Sequence, residues 1–190
     1  MGIGYNLGNS FDCVDYSKKI ENPNDIITLC GNPIPTKNTI AAIKKYGFKT
    51  IRLPITWFYF MDELGKVNEE WMLRVKEVVD WIVKENIYCI INVYNDGLIS
   101  NWLYEGIKAK DKYIYLWSQI ANEFKDYDEL LIFESMNNLE IITFGQNYSF
   151  DYDYETLYNL TQSFVDTIRN SDGKNMDRLL LIAGANNQID

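Results

Sequence analysis

YCIINVYND, residues 88–96, is apolar for most of its length and turns polar only at its end. A strand with one wet face alternates apolar and polar residues, whereas a strand covered on both faces does not. This stretch therefore reads as a buried strand of a parallel sheet. Parallel neighbours need crossover connections, usually helices, and the flanking residues supply them. Before it, NEEWMLRVKEVVDWIVKEN (68–86) sets Trp71, Val75, Val78, Val79 and Ile82 on one face at helical spacing. Glu70 with Arg74, and Asp80 with Lys84, are spaced for i,i+4 ion pairs on the other face. After it, KYIYLWSQIANEFKDY (112–127) is predicted as a helix and LLIFESMN (130–137) as the next strand.

The alternation continues in both directions. GIGYNL (2–7) reads as a first strand, followed by a long irregular loop rich in Asn, Asp and Pro through about Pro35. TKNTIAAIKKYG (36–47) is predicted as a helix capped by Thr36 and stopped by Gly47. FKTIRLPIT (48–56) is the second strand. YETLYNLTQSFVDTIRNSDG (154–173) is a helix with Leu157, Leu160, Phe164 and Ile168 inward, and RLLLIAG (178–184) is a fifth strand. About five parallel strands with four intervening helices predict an α/β fold in a single domain over residues 1–190. No repeat or linker interrupts it. A doubly wound open sheet and a (β/α) barrel both fit. The first is disfavoured because GYNLGN lacks the G-x-G-x-x-G spacing at a strand–helix turn.

Composition narrows the function. The 190 residues are 47% hydrophobic and 15% aromatic, with a net charge of −9. No cluster of Lys and Arg exists to hold a nucleic acid backbone or an anionic membrane, so neither is expected as a partner. No apolar run is long enough to span a bilayer. MGIGYNLGNSFD has neither the basic start nor the apolar core of a secretory leader, which leaves a cytoplasmic chain or a leader lying elsewhere. The chain has no histidine. Histidine-based triads, His-ligated metals and His proton shuttles are therefore absent, and acid–base work falls to Asp, Glu, Lys, Tyr or Cys. No zinc-type spacing appears among Cys13, Cys30 and Cys89, and neither metal nor cofactor is expected. Cys13 and Cys30 flank the long loop and are able to pair in an oxidising compartment, while Cys89 lies inside an apolar strand and reads as packing.

Each strand ends in polar or aromatic residues: Asn6 and Asn9, then Arg52 and Trp57, then Tyr94, Asn95 and Asp96, then Asn137 and Asn138, then Asn186 and Asn187. Ligands bind outside the carboxyl ends of parallel strands in both candidate folds. These clusters are the expected site.

Successive blocks of the chain resemble glycoside hydrolase family 5, the cellulase family: GYNLGNSFD (4–12), GNP (31–33), IAAIKKYGFKTIRLPITW (40–57), INVYNDG (91–97), IANEFKDYDELLIFESMN (120–137) and FVDTIRNSDG (164–173). The resemblance implies a (β/α)8 TIM-type barrel, here incomplete, and a retaining mechanism with two carboxylates roughly 5–5.5 Å apart. Arg52 matches the second-strand arginine that orients the nucleophile, and Asn137 matches the asparagine that hydrogen-bonds the sugar 2-hydroxyl. Asp96 and Gly97 match the end of the third-strand block, and Glu134 matches a structural position inside the fourth strand. The departures fall on the chemistry. Tyr94 and Asn95 stand where paired histidines are usual, Asn138 where the acid/base glutamate belongs, Leu139 for the following proline, and Cys30 where tryptophan often precedes Gly-Asn-Pro. Asn138 is thus the catalytic position, not competent for proton transfer, and the nucleophile strand is not among these residues. Glu140, one step past Leu139, would sit roughly 6–7 Å from the acid/base position, too far to replace it.

The resemblance implies β-glucan or a related polysaccharide as partner, held by Arg52, Trp57, Tyr94, Asn95, Trp102 and Asn137, and secretion as the family habit. Without three further strand–helix units the sheet edges invite self-association or completion by another chain. The expected function is a degenerate cellulase-family domain without hydrolytic activity alone. The alternatives are part of a working glycanase completed by other strands, a carbohydrate-binding or scaffolding protein, and a decayed gene product.

Overall fold

The computed structural model describes residues 1–94, 107–137 and 150–182. Five strands, β1 (Gly4–Asn6), β2 (Thr50–Leu53), β3 (Tyr88–Asn92), β4 (Leu131–Glu134) and β5 (Leu180–Leu181), form one sheet in the order β1-β2-β3-β4-β5. Every pairing is parallel. A doubly wound sheet reverses its strand order at a switch point, whereas a barrel adds each strand beside the last. The sequential order decides between the two folds that the sequence left open: the chain is part of a (β/α)8 barrel.

Among the described residues, five helices flank the sheet: α1 (Pro23–Thr28), α2 (Lys37–Lys45), α3 (Glu69–Lys84), α4 (Ile107–Glu123) and α5 (Phe150–Arg169). The short α1 falls inside the loop expected to be irregular. Its local code is clear: Asn22 accepts from the Asn24 N–H and Pro23 occupies the first helical position. Thr36 caps α2 in a reciprocal capping box with Thr39. Gly47 leaves that helix at φ 92°, a conformation that favours glycine. Asn68 caps α3, whose Trp71, Met72, Val75, Val78, Val79 and Ile82 are buried. The expected ion pairs on α3 are replaced. Arg74 pairs with Glu77 and donates to the Pro35 carbonyl, and Asp80 accepts from the Tyr127 hydroxyl. The Arg74–Glu77 pair stays within α3 at i,i+3, while Pro35 and Tyr127 lie on neighbouring elements that spacing along one helix does not reveal.

The strands alternate strictly. Ile51, Leu53, Cys89, Ile91, Val93, Leu131 and Phe133 face the helices and join the main core. The free thiol of Cys89 is wholly buried there, and burial pushes its pKa up, as a packing role requires. The other face of the sheet carries Thr50, Arg52, Ile90, Ile132 and Glu134 by the same alternation. Arg52, Ile90 and Ile132 lie level across three strands, and Asn92 lies level with Glu134. Leu160, Phe164 and Ile168 of α5 are fully buried as predicted, with Leu157 packed at the margin of the core.

At the amino ends of β4 and β5 the sheet is tied to α4 by one side chain. Arg178, only 3% exposed, donates through Nε to Asn175 Oδ1 at 2.9 Å. Its Nη1 reaches the carbonyls of Leu131 (2.8 Å) and Asp128 (3.3 Å), and its Nη2 those of Phe124 (2.9 Å) and Tyr127 (3.0 Å). The guanidinium also lies 4.7 Å from the Phe133 ring centroid. Burial pulls its pKa down to about 10, partly offset by the nearby Asp128 charge. Gly173 makes this corner possible. At φ 73° a Cβ there would lie 2.5 Å from the Lys125 carbonyl oxygen.

Candidate functional site

The candidate site lies at the opposite, carboxyl end of the sheet. Arg52 leaves β2 on the face away from the helices. Parallel pairing sets it beside Asn6 of β1. Glu134, on the same face of β4, meets it with both oxygens: Arg52 Nε donates to Oε2 at 2.6 Å and Nη2 to Oε1 at 2.7 Å. The planar fork of arginine suits a carboxylate in this bidentate way. Nη2 also donates to Asn137 Oδ1 at 2.9 Å, and Nη1 to Asn6 Oδ1 at 3.0 Å. The ladder beyond the strands fixes Asn137, whose N–H donates to the Val93 carbonyl at 3.0 Å. One guanidinium thus gathers three strands at a single point.

The electrostatics follow from that geometry. Burial works against the charge of Arg52, but the hydrogen bonds and attraction of Glu134 outweigh it and hold the guanidinium's pKa above its ordinary value. Arg52 therefore stays cationic and Glu134 neutralises it. With each oxygen accepting from Arg52, the Glu134 carboxylate is fixed in place beside the cation. It holds the guanidinium in position. Asn137 spends its oxygen on Arg52 and keeps its NH2 as a donor. Tyr94 stands over the same cation, 5.8 Å from ring centroid to guanidinium carbon. Asp12 is buried beneath the first loop, accepting from the Ser10 N–H at 2.9 Å. Burial raises its pKa above the ordinary 3.8, against the opposing pull of backbone hydrogen bonds and of Arg52.

Of the residues expected to hold substrate, Arg52, Tyr94 and Asn137 are brought together. Trp57 is corrected. Its side chain is fully buried, and its Nε1 donates to the Asn92 carbonyl at 3.0 Å. A ring with no exposed face offers no stacking surface; the turn Phe58–Phe60 that follows carries it inward. Asn95, Trp102 and the catalytic position Asn138 lie outside the described residues, as do Asp96, Gly97, Leu139, Glu140, Asn186 and Asn187. Asn6 and Glu134 belong to the site more closely than the sequence placed them. The signal was available: a carboxylate inside an apolar strand must find a partner, and Arg52 is the cation on the same face. Asp12 had no comparable signal.

Cys13 and Cys30 form a disulfide that closes the loop after β1. Just beyond it, Asn32 Nδ2 donates to the carbonyl of Asn9, which sits at φ 54°. Among the described residues no group of His, Cys, Asp and Glu is arranged to hold a metal ion.

Comparison with known proteins gives one consistent result. The family model described as cellulase (glycosyl hydrolase family 5) matches residues 14–189. Endoglucanase A of Paenibacillus barcinonensis is 37% identical over 199 residues, covering 100% of this chain and 48% of its own length. A GH5-4 broad specificity endoglucanase from an uncultured bovine rumen ciliate is 55% identical with a TM-score of 0.88, over 98% of this chain and 51% of that one. A GH5-4 broad specificity endoglucanase from Ruminococcus champanellensis, solved with bound cellotriose, is 30% identical with a TM-score of 0.91, over 100% of this chain and 56% of that one. The chain spans about half the length of these relatives.

Proposed function

Because the chain belongs to glycoside hydrolase family 5, we propose that it binds a β-linked glucan at the carboxyl ends of its strands and does not hydrolyse that glucan by itself. One observation carries the reading. Asn137 is held by Arg52 Nη2 at 2.9 Å and by the Val93 carbonyl at 3.0 Å. That anchors the register of the strand end, and the next residue, at the family's acid/base position, is Asn138. A carboxamide cannot protonate a departing glycosidic oxygen. Losing general acid assistance typically costs about 10²–10⁴-fold in rate, and retaining hydrolysis needs a second carboxylate as nucleophile. Glu134 does not substitute: it lies inside β4, four residues before position 138, and is engaged with the Arg52 guanidinium.

Sugar binding asks less of the site. The Asn137 NH2, the Tyr94 ring and the fixed cation of Arg52 offer a donor, an apolar face and a positive field. The cellotriose held by the Ruminococcus champanellensis relative makes a β-glucan the preferred ligand class.

A second reading is favoured by the sheet. Among the described residues β1 and β5 each pair on one side only, so further strands, a second copy or another chain is able to complete the barrel and supply a nucleophile. Such a complex still lacks the acid at position 138.

Reducing-end release from soluble mixed-linkage β-glucan tests the proposal. No release above a boiled control is expected, alongside retarded migration in a gel containing the glucan, with the retardation lost in Arg52→Ala. Release by the unmodified chain overturns it.

A further inference from the structure

A cleft of about 910 Å³ opens between the loop after β1 and the segment joining β2 to α3. This size lies within the range of roughly 300–1,000 Å³ usual for small-molecule sites. None of the Arg52 network lines it. Its floor is a row of aromatic rings. Tyr16, 70% exposed, stacks on Phe58 with centroids 5.6 Å apart and planes 18° apart. Phe58 in turn packs on Tyr59 at 4.0 Å. Tyr59 is pinned from behind, its hydroxyl accepting from the Asp15 N–H at 2.7 Å. The row is therefore fixed before any ligand arrives, with its end ring open to solvent.

The charge around this row is balanced. Lys18, Lys19 and Lys66 face Glu21, Asp62 and Glu69 on the walls. Lys18 pairs with Asp15 at 3.0 Å and Lys19 with Glu21 at 2.5 Å. The walls sum to zero on a chain of net charge −9. A phosphorylated or polyanionic ligand finds no excess of cations here, and a cationic peptide finds no excess of carboxylates. An uncharged ligand with one apolar face and a rim of hydroxyls suits both the rings and the paired charges. A pyranose ring has that form: its axial C–H bonds pack on an aromatic face and its equatorial hydroxyls reach the ionic groups at the edge.

We infer that the Tyr16–Phe58 cleft is a second carbohydrate-binding surface, separate from the Arg52 rim, that takes a stretch of the same neutral glucan chain. The choice of a β-glucan rests on the function proposed above, while the existence of the surface rests on the cleft. Both flanking loops leave the carboxyl ends of their strands, so the cleft and the rim lie at one end of the barrel. Thr56, two residues before Phe58, donates its hydroxyl to the Tyr94 carbonyl at 2.9 Å, which links the two surfaces through a short rigid segment.

The test is cellopentaose titration of the intact chain by calorimetry, with Tyr16→Ala, Tyr16→Phe and Arg52→Ala beside the parent. Tyr16→Ala is expected to weaken binding about 3- to 10-fold, with a cooperative melt showing that the fold is retained. Tyr16→Phe, which keeps the face, is expected to bind as the parent does. If Tyr16→Ala binds like the parent while Arg52→Ala does not bind, the cleft is overturned and the rim stands. If Tyr16→Ala weakens binding and Arg52→Ala does not, the cleft stands and the rim falls. A parent that does not bind cellopentaose overturns both.

Discussion

A half-buried arginine and a buried one sit at opposite ends of the same parallel sheet, and they are held in opposite ways. Arg52, at the carboxyl end, is neutralised by a carboxylate and two amides, with 23% of its side chain still open. Arg178, at the amino end, is sealed at 3% exposure by one amide and four backbone carbonyls, with no carboxylate of the described residues in contact. The pKa directions record the difference. Glu134 more than offsets the burial of Arg52, whereas Arg178 is pulled down to about 10 because carbonyl dipoles replace water less completely than an anion does. A cation that keeps a solvent-facing side and exchangeable amide partners is suited to meeting a ligand. A cation whose donors are spent on main-chain oxygens is a tie between β4, α4 and the approach to β5. In barrels of this type the two ends of the sheet divide binding from stability, and here the division falls on one residue type.

The comparison breaks most readily at Arg178. Arg178→Met is expected to cost about 3 kcal/mol or more, because several buried carbonyls lose their donor at once. Denaturant unfolding checks it, with glucan binding below the melting range unchanged. A loss under about 1 kcal/mol would mean that the carbonyls are satisfied without the guanidinium. At the other end, a cycle of Arg52→Met and Glu134→Gln is expected to give a coupling of about 1–2 kcal/mol, below the fully buried range because the pair is partly solvated. Each single change should abolish binding at the rim despite its smaller effect on stability. Equal stability losses at Arg52 and Arg178 would erase the distinction. The smallest effect belongs to Asp12. Its folded pKa is raised, so the native state holds a proton that the unfolded chain has released. Its contribution to stability therefore falls as pH rises from 3.8 through the folded value. Melts of Asp12→Asn should lack this decline, and parallel pH curves for parent and variant would show that burial of Asp12 is immaterial.

The same two residues show how far the sequence reaches. Strand existence, the inward faces of α3 and α5 and the Thr36 cap are legible because periodicity and capping are local signals, whereas the barrel is legible only through the family resemblance. Arg52 is legible as a candidate site residue because a cation closing an apolar strand is unusual. Its partnership with Glu134 crosses 82 positions and becomes visible only when β2 and β4 are placed in one sheet. Arg178 gives no signal at all, since its partners are main-chain oxygens and the sequence does not say where those point. Trp57 is ambiguous for a related reason: aromatic residues serve cores and sugar platforms alike, and its burial against the Asn92 carbonyl is visible only in the fold. Tyr16, in a loop without periodicity, passed unremarked.

The disulfide between Cys13 and Cys30 makes residues 14–29 part of a covalent ring. A protease that cuts the backbone once within that ring divides the chain without separating it. Tyr16 lies inside the ring, so a single nick there leaves this aromatic residue tethered to both halves of the molecule. Only a reductant together with the cut would release the fragment, which makes the integrity of this loop a question of two bonds where elsewhere in the chain it is a question of one.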